Sequence, residues 1–153
     1  MKLALAGPVL AAALVAGGFA FAPAVSYGQS APQQAAQKSE RYRVVLQVSD
    51  ADPAKWNLAL SNARNVQEDL GKGNVDVEIV AYGPGLGMLK SESKVAGRLA
   101  QAIDNNIGLM ACENTMRNTK VTKADMYSGI HYVDAGVVHL MKRQREGWAY
   151  VRP

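Results

Sequence analysis

The sequence holds one cysteine, Cys112, at the end of the apolar run Ile107-Gly-Leu-Met-Ala and directly before the polar residues Glu113-Asn-Thr. That pattern reads as a short buried strand running into a turn or helix. A thiol at such a junction meets unpaired backbone N–H groups and the positive end of aligned peptide dipoles. Both favour the thiolate, which is the form that attacks other sulfur atoms. Arg117 and Lys120 would assist, whereas Glu113 would oppose. The competing reading is a small core residue, because cysteine is among the most buried residue types. The sequence leaves both open.

Other residues with chemical potential gather at the ends of apolar runs. Ser49-Asp50 follows one, and Tyr82-Gly83-Pro84-Gly85-Leu86-Gly87 follows another. In open α/β sheets ligands collect beyond the carboxyl ends of the strands. Three neighbouring strands would therefore bring Ser49, Tyr82, Gly83, Gly85, Cys112 and Asn114 to one rim. The glycine-rich loop lacks the Lys-Ser/Thr of a P-loop and the Gly-x-Gly-x-x-Gly spacing, so it reads as a tight turn passing close beneath a neighbour. His131 and His139 stand eight residues apart with no Cys or Glu cluster, which gives no metal site. His139 reads as a helix-side or interface residue. Asp50 and Asp52 suit a turn and a helix cap. No cofactor is implied.

The first residues have the form of an export signal. Lys2 is a minimal basic region, Leu3 to Ala22 is almost wholly apolar, and Ala22-Pro23-Ala24 is a small-x-small cleavage site. Cleavage after Ala24 predicts a periplasmic or secreted protein. The alternative is an uncleaved anchor, since about 20 apolar residues span a bilayer, but the interrupting glycines and proline favour a signal. Residues 25–40 are rich in Ser, Gln and Ala and read as a leader. The domain then occupies residues 41–153, large enough for one hydrophobic core. The formal charge of +4 falls by one with Lys2. Acidic and basic residues are interspersed, so neither nucleic acid nor, after cleavage, a membrane is an expected partner. One cysteine excludes an internal disulfide.

Arg43–Val48 is a β-branched run of strand length. Asp52-Pro53 then starts a helix of about 18 residues with Trp56, Leu60, Ala63, Val66 and Leu70 inward. A second strand is expected at Val75–Ala81, a helix at Glu92–Asn105, and a third strand at Ile107–Ala111. After one or two helical turns and a polar stretch come a short strand at Ile130–Val133, a helix capped by Asp134, and a last strand at Trp148–Val151. Alternating helical and extended periods predict an α/β sandwich with a mainly parallel sheet of about five strands.

Four segments together resemble the DsrE/DsrF-like family, in particular its small stand-alone members. These are Ala81-Tyr-Gly-Pro-Gly-Leu86, Ala111-Cys-Glu-Asn-Thr-Met116, Gly136-Val-Val-His-Leu140 and Glu146-Gly-Trp-Ala-Tyr-Val-Arg-Pro153. The likeness spans roughly Arg41 to Pro153. It implies a flavodoxin-like or Rossmann-like three-layer α/β/α domain that forms homo-oligomers, trimers or hexamers. It also implies a cysteine that carries sulfane sulfur as a persulfide. By position that residue is Cys112, with Asn114 and the Gly83–Gly87 loop shaping its pocket and a donor or acceptor protein as partner. The chain departs from the sulfur-relay members in its export signal and in the residues after the cysteine. The expected function is a sulfur carrier or sulfurtransferase. The alternatives are an oligomeric small-ligand-binding protein with Cys112 buried, and a thiol sensor that forms an intersubunit disulfide.

Overall fold

A computed structural model describes residues 41–153. The expected signal segment 1–24 and the leader 25–40 lie outside the described residues. In chain order the elements are β1 (Tyr42–Val48), α1 (Pro53–Leu70), β2 (Val75–Ala81), a 3₁₀ segment (Gly83–Leu89), α2 (Ala96–Asp104), β3 (Gly108–Cys112), α3 (Glu113–Thr119), a 3₁₀ turn (Lys123–Asp125), β4 (His131–Val133), α4 (Gly136–Arg145) and β5 (Ala149–Val151).

The five strands form one sheet in the order β4-β3-β2-β1-β5, every neighbouring pair parallel. This order decides where the helices lie. From β1 to β4 the chain steps across the sheet in one direction, so right-handed crossovers place α1, α2 and α3 on a common face. From β4 it must cross back to the far edge to form β5, which carries α4 over the opposite face. The result is the expected flavodoxin-like three-layer arrangement, with the sheet wholly parallel.

The front layer holds most of the core. Val44, Leu46, Val48, Val77, Ile79 and Leu109 face Trp56, Leu60 and Ala63 of α1, Leu99 of α2 and Met116 of α3. Asp52 caps α1 by accepting the Ala54 N–H at 2.8 Å, with Pro53 at the first helical position. The back layer is thinner. Val45, Val80 and Leu140 are its buried members, with Tyr82, Met110 and Trp148 packed around them. Among the described residues no helix is long and apolar enough to cross a membrane.

Three local expectations are corrected. The α2 helix starts at Ala96 rather than Glu92, because Ser91–Lys94 is spent on turns in which Ser93 Oγ accepts the Val95 N–H. The segment after β2, expected as a tight-turn loop over Tyr82–Gly87, is a 3₁₀ stretch from Gly83 to Leu89. Ala135, not Asp134, occupies the cap position of α4, and the Asp134 carbonyl instead accepts the Asn114 N–H at 3.0 Å.

Candidate functional site

Cys112 is both the last residue of β3 and the N-cap of α3. It pairs in register with Val133 at the end of β4. The chain leaves β3 toward the front face and leaves β4 toward the back face. The cysteine therefore sits where the connections diverge, the position at which open α/β sheets form a crevice. Strand alternation turns Ala111 to the front core and Cys112 toward α4.

The sulfur is 3.2 Å from the Gly136 N–H at the start of α4, which donates to it. The Thr115 hydroxyl and the first backbone N–H groups of α3 lie near enough to favour its charged form, although the Asn114 N–H itself donates to the Asp134 carbonyl. Cys112 is only 4% exposed. Burial pushes its thiol up, but the donors of Thr115, Gly136 and Asn114 outweigh burial and bring it below the ordinary thiol value. Gly136 can come this close because it lacks a side chain. A Cβ there would lie 3.0 Å from Tyr82 Cβ and 3.1 Å from its Cδ1. Arg117 does not serve the sulfur as the sequence suggested, since its guanidinium hydrogen-bonds Asn114 Oδ1. Glu113 is drawn toward Lys123, 3.1 Å away.

The carboxyl ends of β1, β2 and β3 are neighbours, and the sequence-selected residues fall along them with different surroundings. Gly83 donates its N–H to Thr115 Oγ1 at 2.9 Å, tying the loop after β2 to the first turn of α3. Gly85 passes against the end of β1. Its N–H donates to the Ser49 carbonyl at 3.2 Å, and a Cβ would run into the Val48 carbonyl. The glycine is required by close approach of two backbones. Ser49 Oγ accepts from Gln47 Nε2 at 3.2 Å and belongs to the β1 end of the rim rather than to the sulfur. The Tyr82 phenol is raised above its ordinary value, first by burial and then by nearby Tyr150, while Arg152 pulls it the other way. Asn114 gives its N–H to the Asp134 carbonyl beside Cys112, and its side chain is exposed next to Arg117. A groove of about 400 Å³ borders this region on the back face, between Tyr132–Ala135 and Val138, His139 and Lys142 of α4.

Two features escaped the sequence reading. One is Thr115, three residues after the helix cap, where a hydroxyl can turn back on the capping residue. The other is a buried ionic cluster on the back face. Glu78 is 6% exposed and accepts Arg143 Nε at 2.9 Å and Nη2 at 2.5 Å, with His139 Nε2 2.8 Å from its carboxylate. Trp148 stacks on the Arg143 guanidinium, 4.6 Å from ring centre to Cζ. The signal was present: Glu78 shares a strand face with Val80, and His139 and Arg143 are one helical turn apart. Among the described residues no group of three or more His, Cys, Asp or Glu side chains is placed to hold a metal.

No protein-family model and no curated protein matches the chain. Solved structures do. MTH1491 from Methanobacterium thermoautotrophicum, a protein of unknown function, is 37% identical, with a TM-score of 0.70 over 73% of this chain and 99% of its own. The chain belongs to the same family as MTH1491. YchN from E. coli shares the fold at 11% identity, with a TM-score of 0.60 over 74% of this chain and 99% of YchN. BT1422 from Bacteroides thetaiotaomicron, also of unknown function, does so at 12% identity, with a TM-score of 0.58 over 72% and 94%. These likenesses agree with the fold that the DsrE/DsrF-like resemblance implies.

Proposed function

We propose that the chain is an exported thiol protein that accepts, holds or passes sulfane sulfur as a persulfide on Cys112. The observation that carries this reading is a nearly buried sulfur at the start of α3 that accepts the Gly136 N–H at 3.2 Å, in surroundings that bring the thiol below its ordinary value. Donors stabilise a thiolate and do little for a thiol, whose S–H needs an acceptor. The thiolate attacks the outer sulfur of a sulfane donor such as thiosulfate or a polysulfide. A bond forms between Cys112 Sγ and that sulfur, the donor's own S–S bond breaks, and the leaving group departs with the electron pair. An acceptor thiolate then removes the outer sulfur by the same exchange and regenerates the Cys112 thiolate. Charge and atoms balance without an oxidant.

Near-complete burial of Cys112 favours a second reading, a ligand-binding protein with a structural thiol. The two differ in access. In the carrier, a donor approaches along the groove beside Val133–Ala135, and small displacement of that connection uncovers the sulfur. Cyanide-releasable sulfur after incubation with polysulfide separates them: the carrier loads one labile sulfur that Cys112→Ser abolishes, and the binding protein loads none.

Residues 1–24 support export to the periplasm or beyond. Exposed Val137, Val138 and Met141 on α4, with Tyr150 and Val151 of β5 also exposed, support a homo-oligomer assembled through the back layer.

A further inference from the structure

Glu78 is the one buried carboxylate among the described residues, and the Cys112 chemistry makes no direct use of it. Its place is built from two sides. Gly108 is its register partner on β3, and a Cβ there would lie 3.1 Å from Glu78 Cγ, so the glycine leaves the room that the side chain fills. From α4, Arg143 donates to the carboxylate through Nε at 2.9 Å and Nη2 at 2.5 Å, and His139 Nε2 lies 2.8 Å from it. On α4, His139, Leu140 and Arg143 follow Gly136 at three, four and seven residues, which makes the four one inward stripe. Alternate residues of the β2 end meet that stripe. Tyr82 lies against Gly136, Val80 shares a buried cluster with Leu140, and Glu78 holds His139 and Arg143. Leu140 is the single buried apolar side chain of α4, so the seat of this helix is largely polar.

We propose that Glu78 is a positioning residue for Cys112: by clamping His139 and Arg143 it seats α4, and the seated helix presents the Gly136 N–H to Sγ. That N–H donates to the sulfur at 3.2 Å from the first turn of the helix whose last turns the carboxylate holds. Gly136 and Arg143 are about 10 Å apart along the axis, at about 1.5 Å per residue, and two turns of helix move as a rod. A displacement at the clamp therefore reaches the donor, and a hydrogen bond weakens steeply once it is misaligned. Arg143 is itself steered toward Glu78. Glu146 accepts its Nη1 at 2.8 Å, and Trp148 covers the guanidinium. The proposal rests on the sulfur-carrier reading only for its purpose, because the clamp's effect on the thiol can be measured with no sulfur donor present.

The opposite charges of Glu78 and Arg143 give the test its sign. Glu78→Gln and Arg143→Met are compared in the full mature chain; the amide of the first cannot accept from both guanidinium N–H groups. Because the chain has a single cysteine, the Cβ chemical shift of Cys112 against pH reports its ionisation without ambiguity. Side chains acting only through their fields would shift the midpoint in opposite directions, down on loss of the anion and up on loss of the cation. Side chains that seat α4 give one direction, since either change releases the helix and carries the thiol up toward its ordinary value. The expected result is a rise of about 0.5 pH units in both variants, a roughly threefold lower ratio of thiolate to thiol, as one weakened hydrogen bond gives. The Gly136 amide proton should move upfield, while the methyl signals of Leu99 and Leu109 in the front core stay in place. His139→Ala spares the Glu78–Arg143 pair and should show the same changes at smaller size, which decides the matter if a larger change unfolds the chain. Shifts of opposite sign would overturn the proposal, as would folded variants whose midpoint and Gly136 amide coincide with the parent's. Parent protein that takes up no sulfur, while the variants shift together, would count against the carrier reading and leave the clamp standing.

Discussion

The two faces of the sheet are built on different principles. The front is closed by α1, α2 and α3 over a continuous apolar core in which Ile79, Leu99 and Leu109 are fully buried. The back is closed by the ten-residue α4 alone, over three buried apolar residues and the Glu78–Arg143–His139 cluster, with Val137, Val138 and Met141 left outward. Apolar burial supplies most folding stability, and it scales with the area withdrawn from water. The front layer therefore holds the fold together. The back layer, with its polar cluster and exposed apolar stripe, is the layer suited to assembly, and it contributes the Gly136 N–H to the thiol. Cys112 stands on the line where the two meet.

This contrast can be broken most sharply at Leu109. Leu109→Ala removes packed methyl groups from the front core and should cost about 3–4 kcal/mol, read as a fall in the denaturant midpoint at unchanged slope. A loss below about 1 kcal/mol would show that the front is not the principal core.

The next effect is expected at the back cluster. Arg143→Met leaves the Glu78 carboxylate buried without its guanidinium partner. It should cost about 2 kcal/mol, less than for a fully enclosed pair because Arg143 keeps some exposure. Adding Glu78→Gln should recover part of the loss, since the orphaned charge is gone. A strictly additive double variant would mean that the two side chains do not act as a pair.

A smaller effect concerns pH. The folded Cys112 thiol lies below its ordinary value, because the donors of Thr115, Gly136 and Asn114 overcome the opposing effect of burial. The unfolded chain therefore holds this proton to higher pH than the folded chain does. The resulting stability is fully present above the unfolded thiol pKa and is lost as pH falls through the folded one. Wild type should gain stability over Cys112→Ser as pH rises through that window. A difference that stays flat, or shrinks with rising pH, would contradict the donor account. The least effect on the fold, and the largest on assembly, is expected from Met141→Glu. Monomer stability should change by less than about 0.5 kcal/mol, while the mass measured by light scattering falls to that of a monomer. An unchanged mass would remove the outer face of α4 from the interface.

The fold was legible in the sequence wherever period and punctuation agreed. Asp52-Pro53 followed by a helical apolar stripe marked α1, and the valine-rich runs marked β1 and β2, since a parallel strand buried on both faces reads as a nearly continuous apolar run. The start of α2 was not legible, because Ser91–Lys94 form turns held by contacts that no periodicity encodes. Cys112 could be placed at a strand end because Ile107–Ala111 is apolar and Glu113 is not. Its surroundings could not be read in the same way. The Gly136 N–H lies 24 positions away in the chain and the Gly83–Thr115 bond spans 32, so both depend on strand order. The Glu78 cluster shows the same limit. Nothing in the sequence pairs Glu78 with Arg143 or with His139, which reads there as a helix-side or interface residue, and only the crossing of α4 behind the sheet brings the three together.

The measurement that bears most directly on the role of Cys112 is intact mass of the mature protein after incubation with thiosulfate or polysulfide, with and without reductant. A sulfur carrier gains about 32 Da per sulfur atom on the activated thiolate. The gain disappears on reduction and is absent from Cys112→Ser. A mass that does not change, together with a thiol that resists iodoacetamide until the protein unfolds, would contradict the account and make Cys112 a structural residue of a binding protein.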